Sequence, residues 1–289
     1  MRLPDFYVIG AQKAGTTSLH HILKQHGEIY LPEAKEAHFF DMDDRFVKGT
    51  DWWYRNFFHG VRDEKRMGVI TPDYLFSPEV AQRIKSTYSS DPKFIVLLRN
   101  PIDRAYSHYL MSVSRGFETM SFEEAIENEN ARICKDTFSF NHFSYFSRGL
   151  YFDQLSRFLK LYKVENFRFY IFEVDLLKEK EKMLRDLCTF IDVNLDFEFD
   201  LNIKANRAVE KRESKIFKLL PKGLGRILPL REDLKTGIKE WLLNLNGKEI
   251  ENPKLLDIDL RQKLTRKYKD DILKTQELIG KDLTLWLEE

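Results

Sequence analysis

The sequence predicts an α/β fold: a single domain over residues 1–289, with a central parallel sheet flanked by helices and entered through a P-loop-like strand, loop and helix. Three observations predict it. Short apolar runs, "FYVIG", "KFIVLL" and "NFRFYIF", lack the polar alternation of a half-solvated strand, as expected for a sheet covered on both faces. Each is followed by a stretch with helical spacing, and strand-helix alternation favours parallel pairing. The first junction, "GAQKAGTTS", is bracketed by glycines.

The elements follow in chain order. After "FYVIG", Leu19, Ile22 and Leu23 recur at helical spacing from Thr16. "KFIVLL" leads into "RNPIDRAYSHYLMSV", where Asn100 suits an N-cap, Pro101 the first helical turn and Asp103 the positive end of the helix dipole. Tyr151, Leu155, Phe158 and Tyr162 line one face of a helix, with Phe152 and Leu159 beside them, a stripe that reads as core packing. "NFRFYIF" precedes a charged helical stretch from about Leu177 to Ile191. From Lys204 to Arg226 the composition turns basic, as a solvated helix or one wall of an anion site. Leu255 to Leu287 reads as a long amphipathic helix. No internal repeat or linker divides the chain.

Composition limits the function classes. Lys+Arg 47 against Asp+Glu 46 leaves a net charge of +1, so no global field marks a nucleic-acid partner, and any anion site must be local. Cys134 and Cys188 are too few for a disulfide framework or a zinc site. Two free thiols in a reducing compartment is the economical reading, with a single disulfide as the alternative. No apolar run approaches the roughly 18 residues of a membrane span, and no basic-then-apolar leader precedes the first strand. A soluble, cytoplasmic protein is expected if the chain is complete.

The glycine loop carries the chemistry. Gly10 to Gly15 fits G-x-x-x-x-G-K-[ST] in spacing, yet Thr16 follows Gly15 and the lysine lies inside the loop at Lys13. Such a turn presents backbone N–H groups and a helix dipole to an anion, and Thr16, Thr17 and Ser18 add hydroxyl donors. Two glycines alone suit a tight capped turn equally well. The lysine and three hydroxyl residues favour an anion, with Lys13 placed to neutralise charge on a leaving oxygen. Arg99, at a strand end where ligands of open α/β sheets gather, and Ser107, about two turns into the next helix, suit a terminal phosphate. Standing alone they would read as a carbonyl-capping arginine and a solvent-facing serine. In "KEAHFFD", Glu36 and His38 share one side of an extended segment and Asp41 can orient a partner, which suits a general base. In isolation the cluster would be surface charge.

"GAQKAGTTSL", "KEAHFFD", "TPDYLFSP" and "LLRNPIDRAYSHYL", in that order, resemble the sulfotransferases that use 3′-phosphoadenosine 5′-phosphosulfate (PAPS), and most nearly the heparan sulfate N- and O-sulfotransferase branch and its bacterial relatives. "RGLYFDQLSRFLKLY", "FRFYIFEVDL" and the closing "DLTLWL" extend the likeness over almost the whole chain. The resemblance implies that Lys13, Ala14, Gly15, Thr16, Thr17 and Ser18 wrap the 5′-phosphosulfate, with Lys13 near the leaving oxygen. It implies that Arg99 and Ser107 bind the 3′-phosphate. Glu36 would be the base, completed by His38 and Asp41, and Tyr151 would approach the nucleotide end of the donor. In "NRAVEKRES", Arg207, Lys211 and Arg212 occupy the region of a basic loop that closes over the 3′-phosphate. PAP would be the product and no metal would be required, since a sulfuryl group carries less charge than a phosphoryl group.

The acceptor implied is a hydroxyl or amine on a small molecule or saccharide, such as a carbohydrate or glycolipid. Many members of the heparan branch carry a lysine where this chain has Ile70, so a basic acceptor contact is lost and heparan sulfate itself is not assigned. The cysteine pair of the secreted-pathway O-sulfotransferases has no counterpart after Cys188, which again favours a cytoplasmic, bacterial-type enzyme. His108 and the aromatics Trp52, Trp53 and Tyr54 are candidates for the acceptor cleft, with packing the default for the tryptophans. Two other readings remain. An ATP-dependent small-molecule kinase would explain the loop but not Lys13 or Arg99 with Ser107, and a non-catalytic nucleotide sensor would leave Glu36 without a task.

Overall fold

A computed structural model describes residues 2–201, 231–235 and 256–288. Its strands are β1 (Phe6–Gly10), β2 (Ile29–Tyr30), β3 (Arg66–Ile70), β4 (Lys93–Leu98) and β5 (Phe167–Ile171). All pair in parallel, in the order β2-β3-β1-β4-β5. Every residue of β1 and five of six in β4 are buried, which is why these runs show no alternation. From β1 the chain crosses to β2 on one side, whereas from β4 it crosses to β5 on the other. The connections diverge between β1 and β4, and such a switch point leaves a crevice at the carboxyl ends of the two strands.

The helices are α1 (Thr16–Leu23), α2 (Asp43–Phe46), α3 (Gly49–Phe57), α4 (Val80–Thr87), α5 (Pro101–Ser114), α6 (Phe122–Glu127), α7 (Glu129–Ile133), α8 (Thr137–Phe143), α9 (Tyr151–Leu159), α10 (Lys180–Ile191) and α11 (Ile258–Ile279). Asn100 caps α5 as expected, its side chain accepting from the amides of Ile102 (2.9 Å) and Asp103 (3.4 Å). The α9 stripe is core: Tyr151, Leu155 and Phe158 are fully buried, and Tyr162 packs from the turn that follows.

Two helices are shorter than the stretches expected from sequence. The charged stretch expected from about Leu177 becomes helical only at Lys180, as α10, and a π-helical turn, Phe172–Leu176, precedes it. The C-terminal helix stops at Gly280, whose φ of 64° is the left-handed cap that glycine favours, and a 3₁₀ turn, Thr284–Trp286, follows. The basic segment from Lys204 to Arg226, with Arg207, Lys211 and Arg212, lies outside the described residues. Cys134 is exposed and Cys188 buried, both as free thiols, and burial pushes the Cys188 thiol up to about 11. Among the described residues no helix is long and apolar enough to cross a membrane.

Candidate active site

The loop after β1 is shaped by two left-handed residues, Lys13 (φ 69°) and Gly15 (φ 89°). Gly15 is required twice over. Its φ disfavours a side chain, and a Cβ there would lie 2.4 Å from Leu176 Cδ2 and 3.0 Å from the Phe172 ring. It is the N-cap of α1 and, as glycine, gives that helix no side-chain cap. The first-turn amides of Thr16, Thr17 and Ser18 are therefore left to a ligand or solvent. Thr16 is buried, Thr17 exposed, Ser18 half-buried and Ala14 buried beneath the turn.

Lys13 lies in a strongly positive pocket. Its ammonium contacts the Met111 sulfur at 3.9 Å. Burial, followed by repulsion from Arg115, Arg99, Lys35 and Arg104, lowers its pKa to about 8. Arg99 extends from the end of β4 and donates to the Lys13 carbonyl at 3.0 Å, tying the two strand ends together. Its guanidinium lies 4.8 Å over the Phe172 ring, and its Nε is buried with no hydrogen-bond partner among the described residues. An uncapped helix start, a depressed lysine and an arginine with an unused buried donor suit an anionic ligand. Ser107 lies two turns into α5, half-buried.

The structure changes the reading of Tyr151. It is fully buried, and its hydroxyl donates to the Arg99 carbonyl at 2.8 Å, so it offers no exposed surface of its own and its contact here is with the Arg99 backbone. His108 and Trp53 are also fully buried, which removes them as cleft-lining groups. Trp53 stacks on Phe39 at 4.5 Å, and Trp52 and Tyr54 pack half-buried against the same core.

Beside the loop, "KEAHFFD" folds into a connected acid-base group. Lys35 donates to Glu36 at 2.7 Å, His38 Nε2 lies 3.4 Å from the second Glu36 oxygen, and His38 Nδ1 meets Asp41 at 2.6 Å. Burial opposes the charge on His38, but Asp41 and Glu36 outweigh it and hold the imidazole well above 6.5. Burial likewise raises Glu36, yet Lys35 and His38 prevail and keep its carboxyl well below the usual range. Glu36 is therefore ionised and 24% exposed, able to accept a proton from an incoming group.

Two further residues, from "TPDYLFSP" and "RGLYFDQLSRFLKLY", border this group. Asp73 offers a carboxylate oxygen that, with one atom each from Glu36 and His38, falls within a 4.8 Å group of the kind that can hold a metal. Arg148 ion-pairs with Asp73, and Lys35 with Glu36, so cations already neutralise both carboxylates. Arg148 is buried, with its guanidinium 4.5 Å over the Phe76 ring. Only the "RG" beside Tyr151 and the "TPD" after β3 hinted at the pair, which 75 positions separate in sequence.

Residues 3–222 match the Sulfotransferase domain family. The crystal structure of a sulfotransferase from Alicyclobacillus acidocaldarius is 29% identical, covers 100% of both chains and superposes with a TM-score of 0.73. Among curated proteins, the membrane-associated sulfotransferase kil1 of Dictyostelium discoideum is 34% identical over 38% of this chain and 23% of its own length. Human heparan sulfate glucosamine 3-O-sulfotransferase 3B1 is 33% identical over 48% of this chain and 34% of its own. The match thus spans about a quarter to a third of these curated relatives.

Proposed function

The chain belongs to the sulfotransferase domain family, and on that premise we propose that it moves a sulfuryl group from PAPS to a hydroxyl or amine of a saccharide-type acceptor, with Glu36 as base. The observation that carries this reading is the position of Lys35. It is bonded to Glu36 and its charge is among those that lower the pKa of Lys13, which supports a proton acceptor and a cation for the leaving group working in one neighbourhood. The heparan sulfate relative supports a saccharide acceptor.

PAPS supplies a sulfur with a phosphate leaving group, and the chain's own residues do the rest. The first-turn amides of α1 and the hydroxyls of Thr16, Thr17 and Ser18 hold the 5′-phosphate end, and Arg99 with Ser107 holds the 3′-phosphate. Glu36 takes the proton from the acceptor oxygen or nitrogen as that atom bonds to sulfur. Lys13 stabilises the negative charge as the sulfur–oxygen bond to the phosphate breaks and PAP departs with the electron pair. His38, charged and held by Asp41, keeps Glu36 ionised and aimed. No covalent protein intermediate is needed. Arg207, Lys211 and Arg212 remain candidates for covering the 3′-phosphate.

The test has two arms. PAP should raise the melting temperature where ATP with magnesium does not, and stabilisation by ATP with magnesium alone would favour a kinase instead. Glu36→Gln should lower transfer to a saccharide acceptor by about 10²- to 10⁴-fold, the usual contribution of a general base, with PAP affinity kept within about twofold. Near-normal turnover in the glutamine variant would refute the base assignment.

A further inference from the structure

We propose that the C-terminal segment Ile258–Trp286, beyond the stretch matched to the sulfotransferase domain family, braces the donor site, and that Trp286, acting through Glu173, is a positioning residue for Arg99. This rests on the reading above that Arg99 faces the donor.

Strand register brings the parts together. Leu98 pairs with Ile171 at the end of the β4–β5 ladder. Continuing by one residue sets Arg99 beside Phe172, and by two sets Asn100 beside Glu173. Both contacts are present: the Arg99 guanidinium lies over the Phe172 ring, and the Asn100 amide donates to Glu173 Oε1 at 2.9 Å. The π-helical turn Phe172–Leu176 also packs Phe172 and Leu176 against Gly15, so one turn braces both halves of the anion pocket. Turns of this kind recur at functional sites.

The Arg99–Asn100 peptide is gripped at both ends. The Tyr151 hydroxyl holds the Arg99 carbonyl at 2.8 Å, and Glu173 holds the Asn100 amide. Each grip is completed from the C-terminal segment. Asp271 of α11 accepts from the amides of Tyr151 (2.7 Å) and Phe152 (3.2 Å), fixing the start of α9. Trp286, fully buried, donates its indole N–H to Glu173 Oε2 at 3.2 Å, and its ring packs against that of Tyr151 at 6.0 Å. Both Glu173 oxygens are thereby engaged, one by the peptide beside Arg99 and one by the C-terminus. With the peptide held, the arginine side chain is aimed before the donor arrives. A loosened peptide would reduce donor affinity without touching the base or the acceptor.

The experiment measures PAP binding by calorimetry and initial rates with both substrates varied, using the full chain. Trp286→Phe keeps an aromatic ring but removes the N–H. It should raise the PAP dissociation constant and the PAPS KM by about five- to tenfold, with kcat and acceptor KM within about twofold. Glu173→Gln should cost more in the wild-type background than beside Trp286→Phe, because the amide confronts an N–H donor only where the indole is present. Equal losses for donor and acceptor, equal costs of Glu173→Gln in both backgrounds, or unchanged PAP affinity in Trp286→Phe would each overturn the proposal. If Trp286→Phe fails to fold, the donor-against-acceptor split in Glu173→Gln alone decides it. Failure of the wild-type chain to bind PAP would instead overturn the function proposed above.

Discussion

Donor binding should draw a proton onto Lys13, and the structure gives the size of the effect. Burial and four neighbouring cations bring the lysine from 10.5 to about 8, a penalty on its charged form on the order of 3 kcal/mol. Between pH 8 and 10.5 the unfolded chain holds more of this proton than the folded one, so this group adds stability as pH rises through that window, and its penalty is fully present below pH 8. A phosphate beside Lys13 reverses the repulsion and returns its pKa towards the ordinary value. PAP binding should therefore take up about half a proton at pH 8 and about a tenth at pH 7, from the unprotonated fraction of the free protein. Calorimetry in two buffers of different ionisation heat measures that uptake, and near pH 8 the phosphates of PAP are already deprotonated. Lys13→Met should bind PAP more weakly, with no uptake. Absence of uptake in the wild-type chain at pH 8, or the same uptake in Lys13→Met, would refute both the placement of the anion and the electrostatic account of the loop.

Two further perturbations probe the neighbouring groups. Asp41→Asn removes the carboxylate that offsets the burial of His38, so the imidazole should be charged at pH 7 in the wild-type chain and largely neutral in the variant, as NMR titration would show. Because the folded pKa of His38 is raised, the stability it contributes is complete below 6.5 and lost as pH rises through the raised value. The melting-temperature gap between wild type and Asp41→Asn should therefore narrow in alkaline buffer, and a gap independent of pH would count against the pair. Gly15→Ala combines a left-handed φ with a 2.4 Å approach to Leu176 and should destabilise by about 2–4 kcal/mol. Gly49→Ala, at φ 78° with nothing within 4 Å, should cost only about 1 kcal/mol, and equal losses would show that packing against Phe172–Leu176 is immaterial.

Much of the site was legible because it is local. A glycine at positive φ, three hydroxyl residues opening a helix, an asparagine cap before a proline, and an acid and histidine two residues apart all express physics acting over a few residues. Unbroken apolar runs likewise announce buried parallel strands. Element ends were less legible: the apolar pattern of the tail runs on through Gly280, where backbone conformation rather than hydrophobicity ends the helix, and the helix expected from about Leu177 starts at Lys180. Trp286 lay within the closing "DLTLWL", whose order in the chain was legible but whose contact with Glu173 was not.

The sequence by itself determined the strand-loop-helix unit, the glycine-bracketed loop with its internal lysine, and the pairing of Glu36 with His38, because each depends on neighbours along the chain. Only the tertiary structure decided that β1 and β4 lie side by side, which brings Arg99 onto the Lys13 carbonyl from 86 positions away. It also decided that Tyr151 is buried beneath Arg99, that Arg148 neutralises Asp73, and that Trp286 closes on Glu173. The physical reason is that strand order and register arise from packing the whole sheet between its helices. Periodicity records that a face will be buried, but not which distant face will cover it.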